Sequence, residues 1–329
     1  MRNTVLGLLR GTQGEYISGE DISRGLDVSR TAVWKHIQNL RREGYVIDSN
    51  PRQGYRLRST PDQLLPEEIM HGLGTKKLGC RIVHFASISS TNAEAKRLAS
   101  LGAVEGTVVV AEAQTCGRGR LSRPWFSPDK GGIWFSIILR PSLHPTEAAK
   151  LTILGAVAVA KAIRETTGLA VEIKWPNDIL FKGRKLVGIL TELNAEMDAI
   201  NYIVMGIGIN VNVELDEFPE EIKNIASSLT REIGHDISRR LLLQAILEQL
   251  EQLYDQVIRQ GFIPVFANWR TMNCTLNSEV NVVSANQQFT GLAVDIDADG
   301  ALLVKKEDGV IERVLSGEVS VRRRWDYSS

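Results

Sequence analysis

The chain has 329 residues, with 39 lysine and arginine residues against 39 aspartate and glutamate residues, so its formal net charge is zero. A hydrophobic fraction of 43% and a charged fraction of 24% are typical of globular proteins, and the length predicts two or three domains. The longest apolar runs, 153–160 and 202–209, are far shorter than the roughly 18 residues of a membrane-spanning helix. We therefore expect a cytoplasmic protein that does not contact membranes. The cysteines, at positions 80, 116 and 274, fit neither a disulfide framework nor a zinc site.

Charge is distributed unevenly along the chain. Residues 1–60 contain ten lysine and arginine residues against six aspartate and glutamate residues, a net charge of +4 that the rest of the chain balances with −4. A small basic module attached to a slightly acidic body is typical of a DNA-binding head on an enzyme or a sensor.

Two short helices are predicted within this basic head. Ser18 has an acidic residue three positions later, which is an N-cap pattern, and Ser29 caps a second helix that ends at Gly44. A tight turn at residues 25–28 joins the two helices. Two capped helices joined by a tight turn predict a helix-turn-helix.

The second helix is the predicted recognition helix. Its apolar stripe faces inward, which leaves five side chains to contact bases and phosphates: Arg30, Thr31, Trp34, Lys35 and Gln38. Residues 45–47 and 55–57 flank turn-forming residues and predict a hairpin wing that carries Arg52. Because one head neutralises few phosphates, specific DNA binding would require a dimer that reads two half-sites. A protein-interaction module with a solvated basic face is the alternative.

A proline-containing linker at residues 59–66 separates the head from a body in which strand-like and helix-like runs are mixed. The strand-like runs are 107–111, 133–139, 171–174, 186–190 and 202–209, and the helix-like runs are 92–101, 147–166 and 238–259. This mixture indicates an α/β or α+β fold. Five short strand-like runs between residues 279 and 323 predict a small β-barrel. The predicted domains are residues 1–62, 63–270 and 271–329.

Residues 114–125, Gln-Thr-Cys-Gly-Arg-Gly-Arg-Leu-Ser-Arg-Pro-Trp, form a basic loop after a strand. A helix is disfavoured there, because glycine costs about 1 kcal/mol per helical position. Glycines let backbone N–H groups approach an anion, and the guanidinium groups of Arg118, Arg120 and Arg123 can hold carboxylate or phosphate oxygens. The loop therefore predicts a mobile binding element for a substrate with both groups. A solvated or nucleic-acid-binding segment is the alternative.

Residues 174–178, Lys-Trp-Pro-Asn-Asp, are the second informative segment. Pro176 prevents a helix, so Lys174 is predicted to end one strand and Asp178 to begin another, with a turn at 182–185 before the next strand. A carboxylate at a strand end can hold Mg²⁺, and a lysine can stabilise charge on a transferred phosphoryl group. A structural salt bridge is the alternative.

These two segments occur together with Ser89-Ser90-Thr91-Asn92 and Gly206-Ile207-Gly208-Ile209-Asn210 behind a winged helix. In this order they strongly resemble the family of bifunctional bacterial biotin protein ligases and biotin operon repressors, over nearly the whole chain. The resemblance implies an α+β multidomain protein with an N-terminal winged helix-turn-helix and a C-terminal SH3-like β-barrel. The central mixed α/β catalytic domain would be similar to class II synthetase and lipoate ligase folds. The chain departs from the family at Leu121-Ser122, where a basic residue or glycine is common.

The resemblance implies a two-step, ATP-dependent reaction. The biotin carboxylate attacks the α-phosphate of ATP to give biotinyl-5′-adenylate and pyrophosphate. A lysine of the biotin carboxyl carrier domain of acetyl-CoA carboxylase, or of a similar carboxylase, then attacks the adenylate. The adenylate is also the expected corepressor, which promotes a homodimer that binds operator DNA. No enzyme nucleophile is required, which agrees with the absence of a plausible catalytic triad among five scattered histidines.

The family match also implies roles for individual residues. Biotin would be bound by Ser90, Thr91, Asn92, Gln114, Gly117 and Arg118. ATP and the adenylate would be bound by Arg120, Arg123, Trp125, Asn177, Lys185 and Asn210. The catalytic residues would be Lys185, Arg120 and Lys174, and Asp178 would bind Mg²⁺. The loop 117–125 would cover the adenylate and exclude water, with residues 214–227 as a second cover.

Other functions remain open at this point. One is a ligase without operator binding, and another is a non-catalytic, biotin-responsive transcription factor, which the presence of Lys174, Asp178 and Lys185 disfavours. Lipoate ligases are related enzymes, but Ser90, Thr91 and Gln114 suit a polar ureido ring better than an apolar dithiolane. A dimer surface is expected near a strand edge at 191–197.

Overall fold

The computed structural model describes residues 2–283, 288–316 and 320–323. The chain divides into two compact units, Met1–Gln63 and Leu64–Ser329. The second unit contains both the predicted central domain and the predicted C-terminal domain. None of the helices in the described ranges is long and apolar enough to cross a membrane.

The first unit is a winged helix. Its elements are α1 (Arg2–Gly11), α2 (Gly19–Leu26), α3 (Arg30–Arg42), β1 (Val46–Asn50) and β2 (Gly54–Ser59). The predicted caps are confirmed, because the hydroxyls of Ser18 and Ser29 accept hydrogen bonds from the N–H groups of Asp21 and Ala32, at 3.0 and 3.2 Å. The predicted wing is confirmed as the antiparallel pair β1–β2. Helix α1 was not predicted.

The wing is fixed to the recognition helix by one arginine. The Arg41 side chain, near the end of α3, donates to the carbonyl oxygen of Ile47 on β1, at 3.0 and 2.6 Å. Val33 and Ile37, which lie eight and four residues before Arg41 on α3, are buried. The predicted polar side of α3 is thus left on the surface.

The body of the second unit is a seven-stranded sheet with helices on both faces. The strands are β3 (Arg81–Phe85), β4 (Thr107–Ala111), β5 (Gly132–Leu139), β6 (Glu172–Lys174), β7 (Asp178–Phe181), β8 (Arg184–Glu196) and β9 (Ala199–Asn210). The helices are α4 (Pro66–Met70), α5 (Thr91–Ser100), α6 (Lys150–Thr167), α7 (Leu229–Ile233), α8 (Arg239–Gln260) and α9 (Ile263–Met272). The strand order is β3-β4-β5-β9-β8-β7-β6, with β3–β4 parallel and the other pairs antiparallel.

The two faces of this sheet differ in composition because side chains alternate along a strand. Ile207 and Ile209 of β9 face the main core with α6 and α8. The residues between them, Gly206 and Gly208, belong to the other face, where α5 packs on Val204. The main core face is continuously apolar, whereas the α5 face carries glycines and polar residues near its centre. That composition leaves space for a ligand on the α5 face.

The C-terminal part is a five-stranded antiparallel sheet. Its strands are β10 (Glu279–Val283), β11 (Gln288–Ile296), β12 (Leu302–Lys305), β13 (Ile311–Val314) and β14 (Ser320–Arg323), in the order β13-β12-β11-β10-β14. Residues 284–287, 317–319 and 324–329 of the predicted domain lie outside the described residues. Trp175 ties this sheet to the body, because its Nε1 donates to the Gly300 carbonyl at 3.1 Å.

Candidate active site

A cavity of about 800 Å³ lies between the first turn of α5, the basic loop and strands β7 to β9. The predicted site residues that line it are Ser90, Thr91, Asn92, Gln114, Arg118, Arg120, Arg123, Trp125, Lys174, Asn177, Asp178, Lys185 and Asn210. The fold therefore brings together four segments that are far apart in the sequence. Gly117 is the exception. It belongs to the basic loop but does not line the cavity. It is buried, and an added Cβ would lie 2.5 Å from the Trp125 carbonyl oxygen.

One end of the cavity carries neutral hydrogen-bonding groups. Ser90 caps α5 and accepts from the Ala93 N–H at 3.4 Å. The Thr91 N–H donates to Gln114 Oε1 at 2.9 Å, and Gln114 Nε2 donates to the Ser127 hydroxyl at 3.0 Å. Hydroxyl and amide groups can both donate and accept. This end therefore suits an uncharged polar group such as an amide or a urea.

Glycines of β8 and β9 form the floor of the cavity. Gly188 and Gly208 are paired in register, and an added Cβ would lie 2.8 Å from the Trp125 ring at Gly188 and 2.3 Å from Trp125 Nε1 at Gly208. A Cβ at Gly206 would lie 1.9 Å from Asn92 Oδ1. Only glycine at these positions therefore lets the side chains of Trp125 and Asn92 lie directly on the sheet.

The other end of the cavity carries charged groups. Lys185 Nζ lies 2.7 Å from Asp178 Oδ1 and 5.2 Å from the centre of the Trp125 ring. Lys174 is opposite Asp178 in the β6–β7 register. This arrangement confirms the predicted strand ends on either side of Pro176. The Lys185 ammonium group, which can bind an anionic ligand, therefore lies beside the Asp178 carboxylate, which can bind a metal cation.

Arg120 connects the basic loop to two other segments. Its Nη1 donates to Asn177 Oδ1 at 3.1 Å, and its Nη2 donates to the carbonyl of Ser316. Burial lowers the pKa of Arg120, whereas the nearby Asp178 carboxylate acts in the opposite direction. A guanidinium group remains protonated in proteins. Its positive charge therefore lies at this end of the cavity, where it can attract an anionic ligand.

The basic loop is a compact turn. The Arg123 N–H donates to the Arg120 carbonyl at 3.2 Å, and the N–H of Trp125 donates to the Gly117 carbonyl at 2.9 Å. Leu121 and Ser122 have φ angles of 55° and 56°, in the region that favours glycine. These are the two positions at which the resemblance described above predicts a basic residue or glycine.

The segment 214–227 is joined to the backbone of Lys185. The Lys185 N–H donates to the Ile225 carbonyl at 2.7 Å, and the Ser227 N–H donates to the Lys185 carbonyl at 3.0 Å. Ile225 and Ala226 line the cavity opposite the basic loop. Two separate segments therefore border the charged end.

Comparison with known proteins agrees with this architecture. Residues 2–56 match the HTH domain family, residues 84–210 match the Biotin/lipoate A/B protein ligase family, and residues 275–322 match the Biotin protein ligase C terminal domain. The chain is 42% identical to the bifunctional ligase/repressor BirA of Bacillus spizizenii, over 98% of both chains. The chain belongs to the bifunctional ligase/repressor family.

Two further relatives of this ligase/repressor match only about three quarters of the chain. The biotin–[acetyl-CoA-carboxylase] ligase of Mycobacterium tuberculosis is 34% identical, over 75% of this chain and 91% of its own. The structure of the biotin protein ligase from Aquifex aeolicus in complex with biotin and ATP is 32% identical. It superimposes with a TM-score of 0.65 and covers 74% of this chain and 99% of its own. The predicted family and fold class are confirmed.

The head of this ligase/repressor exposes most of the side chains predicted to contact DNA. Arg30, Thr31, Trp34 and Lys35 of α3 and Arg52 of the wing are exposed, and Gln38 is half-buried. Trp34 is 50% exposed, which is unusual for a large aromatic side chain. Arg30 is paired with Glu20 of α2. Their roles in DNA binding stay predictions.

Several residues of this ligase/repressor site were not predicted. Gly188, Leu190 and Ser127 line or support the cavity, and Ser136 and Glu192 contact Asn92 beneath it. One pattern in the sequence could have predicted the floor of the cavity. Gly206 and Gly208 alternate with apolar residues, which is typical of a sheet face that another group approaches closely. Ser136 and Glu192 had no such signal, because their partners are distant in the sequence.

Proposed function

We propose that the cavity binds biotin and ATP, forms biotinyl-5′-adenylate, and transfers the biotinyl group to a lysine of a carboxylase carrier domain. One observation carries this proposal: a single cavity joins a neutral hydrogen-bonding end at α5 to a cationic end at Lys185. Biotin needs the first for its ureido ring, and its carboxylate and the ATP phosphates need the second. The biotin and ATP held by the Aquifex ligase support the same assignment.

The residues have distinct roles in the first step. Ser90, Thr91, Asn92 and Gln114 would bind the ureido ring, Gly117 would shape the loop around it, and Arg118 would hold the carboxylate. When the carboxylate oxygen attacks the α-phosphorus, the bond to pyrophosphate breaks and negative charge develops on the phosphate oxygens. Lys185, Arg120, Arg123 and Lys174 would stabilise that charge. Trp125, Asn177 and Asn210 would contact the nucleotide.

The second step needs no nucleophile from the enzyme. The amine of the carrier lysine attacks the acyl carbon of the adenylate, the carbon–oxygen bond to AMP breaks, and an amide forms with loss of a proton. Because water would also attack the mixed anhydride, the adenylate must be shielded until the carrier arrives. The basic loop and the segment 214–227 are the two proposed covers.

Asp178 is the proposed Mg²⁺ ligand. The described residues contain no cluster of three His, Cys, Asp or Glu side chains that could hold a metal ion by themselves. A single carboxylate nevertheless fits Mg²⁺, which is usually bound through one or two carboxylates together with substrate phosphates. Mg²⁺ bound with ATP would neutralise phosphate charge at the end of the cavity where Asp178 lies.

The head and the body together support a second activity. We infer that the protein represses biotin genes in the cytoplasm, that the adenylate is its corepressor, and that a homodimer binds operator DNA through α3 and the wing. The HTH match and the exposed basic side chains of α3 support this part. A gel shift with and without biotin and ATP separates a repressor from a ligase that has lost operator binding.

The decisive test of the ligase is mass spectrometry after incubation with biotin, Mg-ATP and a purified carrier domain. We expect biotinyl-adenylate without the carrier and one biotinyl group on the carrier lysine when it is added. Lipoate serves as the competing acid and should give little product. A chain that catalyses no biotin-dependent exchange of pyrophosphate into ATP would instead be a non-catalytic regulator.

A further inference from the structure

A chain of hydrogen bonds runs beneath the neutral end of the cavity, from strand β8 to α5. Glu192 Oε2 accepts from Asn92 Nδ2 at 2.8 Å, and the Leu190 carbonyl accepts from the same nitrogen at 3.3 Å. Asn92 Oδ1 lies 2.5 Å from the Ser136 hydroxyl oxygen. That oxygen lies 2.8 Å from the Thr91 hydroxyl oxygen. Thr91 and Asn92 line the cavity, whereas Ser136 is fully buried behind them.

The chemistry of the partners determines the direction of each hydrogen bond. An ionised carboxylate and a carbonyl can only accept, so Asn92 must present its NH₂ group to Glu192 and Leu190. Its carbonyl oxygen therefore faces Ser136, which must donate to it. A hydroxyl has one hydrogen, so Ser136 can contact Thr91 only by accepting from it.

The Thr91 hydroxyl is consequently left as an acceptor toward the cavity. Its hydrogen is directed at Ser136 or at the other nearby acceptor, Gln114 Oε1, which lies at 3.1 Å. In either case the hydrogen is directed at a protein oxygen. The group that Thr91 offers to a ligand is a lone pair, which suits an N–H donor.

We propose that Glu192 is a positioning residue of the ligand pocket, which through Asn92 and Ser136 keeps the lone pairs of the Thr91 hydroxyl free of a protein donor, so that this hydroxyl accepts from a ureido N–H. This inference rests on the proposed function, because it takes the ureido ring of biotin as the group bound at this end. Glu192 itself does not line the cavity.

A contact between Lys96 and Glu192 makes it possible to reverse the direction of these hydrogen bonds by one substitution. Its Nζ lies 2.7 Å from Glu192 Oε1, so the carboxylate receives a donor on each oxygen. A Glu192→Gln substitution leaves one acceptor, which Lys96 would take, and turns an NH₂ group toward Asn92. Asn92 would then reverse its amide and lose its hydrogen bond to the Leu190 carbonyl. Ser136 would accept from the reversed amide and would donate to Thr91. One Thr91 lone pair would be occupied by the protein.

The experiment measures ligand affinity by calorimetry in the full chain without ATP. The probes are biotin and its cyclic carbonate analogue, in which oxygens replace both ureido N–H groups. Glu192→Gln should weaken biotin binding by about tenfold, the size expected for one misdirected hydrogen bond, and should leave the analogue's affinity unchanged. The KM for ATP should not change. Glu196→Gln is the matched control, because Glu196 lies on the same strand and also accepts from an asparagine, Asn201.

A second substitution tests the direction of the chain independently of stability. Lys96→Met, added to Glu192→Gln, removes the competing donor and lets the new side chain accept from Asn92 again, so most of the lost biotin affinity should return. Ser136→Ala should remove the effect of Glu192→Gln on biotin affinity, because no Ser136 hydroxyl is then left to donate to Thr91. If Glu192→Gln binds biotin as the unmodified protein does, or weakens both ligands equally, the inference is overturned while the proposed function stands. An unmodified chain that binds no biotin would overturn both.

Discussion

At the scale of single residues, Lys185 provides a positive charge at the charged end of the cavity. It lies at the start of β8, beside Asp178 and over the Trp125 ring, and its backbone holds the segment 214–227. The backbone contacts do not depend on the side chain. Truncating the side chain therefore removes a charge from the cavity while leaving the β8 backbone bonded to both neighbours.

Lys185→Ala should slow adenylate formation by ~10²–10³, the effect of removing one preorganised charge partner. Biotin affinity in the absence of ATP should change far less, because the ureido end of the cavity is formed by α5 and Gln114. Stopped-flow measurement of the first turnover separates the two quantities. Lys161→Ala, on α6, is a control for loss of a lysine elsewhere. An adenylation rate equal to that of the unmodified protein would contradict the proposed role.

Gly117 and Gly119 provide a second contrast between single residues. An added Cβ at Gly117 would meet the Trp125 carbonyl at 2.5 Å and the Ser127 hydroxyl at 2.8 Å, whereas at Gly119 the nearest atom is 3.7 Å away. Gly119 also has an extended backbone that any residue adopts. Gly117→Ala should therefore distort the loop and lower kcat/KM for biotin by more than tenfold, roughly the cost of a strained contact. Gly119→Ala should stay within about threefold. Equal effects in steady-state kinetics would count against this account.

At the scale of structural elements, Arg120 attaches the middle of the basic loop to two other segments of the body. The contacts with Asn177 and the Ser316 carbonyl reach the β6–β7 hairpin and the C-terminal sheet. Arg118 and Arg123 are exposed by comparison. Loss of the Arg120 side chain should thus loosen the cover without removing the other guanidinium groups.

Arg120→Gly should release biotinyl-adenylate into solution and biotinylate lysines on bystander proteins. Labelling of serum albumin, detected with streptavidin, should exceed that of the unmodified protein by at least tenfold, since retention of the anhydride depends on excluding water and other nucleophiles. Arg123→Gly tests whether the loss of any arginine of the loop releases the adenylate. Absence of albumin labelling with Arg120→Gly, despite active adenylation, would contradict retention by this loop.

Local patterns predicted most elements, and the reasons are physical. The apolar run Thr107–Ala111 has the length of a buried strand, and Ser18 and Ser29 begin helices because their hydroxyls satisfy unpaired N–H groups. Helix α1 (Arg2–Gly11) was not predicted. Likewise, the roles of Ser136 and Glu192 arise only from the pairing of β5 and β8 with β9 and from the packing of α5. Those contacts join residues about 40 to 100 positions apart.

At the scale of the whole molecule, the neutral total charge conceals a basic head, and DNA binding should depend on that local charge. Lys35 is exposed on α3, where it would neutralise a phosphate. Lys35→Ala should weaken binding to all DNA sequences similarly and reduce the slope of log affinity against log salt by about one per head. Fluorescence anisotropy with the promoter DNA of the biotin genes measures this slope. A slope that does not change would place Lys35 away from the DNA.

Operator binding by two heads requires a surface between two copies of the chain, and β8 offers one. Strand β8 pairs with β9 along its whole second half, but its pairing with β7 ends at Gly188 within the described residues. Residues 191–196 therefore have one side of the backbone available for another strand. Leu193 is 45% exposed and Met197 is 98% exposed at this edge, where an apolar surface favours association. We expect the homodimer to form there, in agreement with the edge predicted at 191–197.

Leu193→Lys tests this surface, because a two-fold axis would place the two introduced charges close together. Sedimentation equilibrium with biotin and ATP present should show dimerisation weakened by at least tenfold, since like charges facing each other across paired strands are destabilising. Adenylate formation should continue in the monomer, whereas operator affinity should fall with the dimer. Leu101→Lys, at an exposed leucine beyond α5, is the control for added charge. Dimerisation that survives Leu193→Lys but is lost in Leu101→Lys would move the interface from β8 to the α5 face of the sheet.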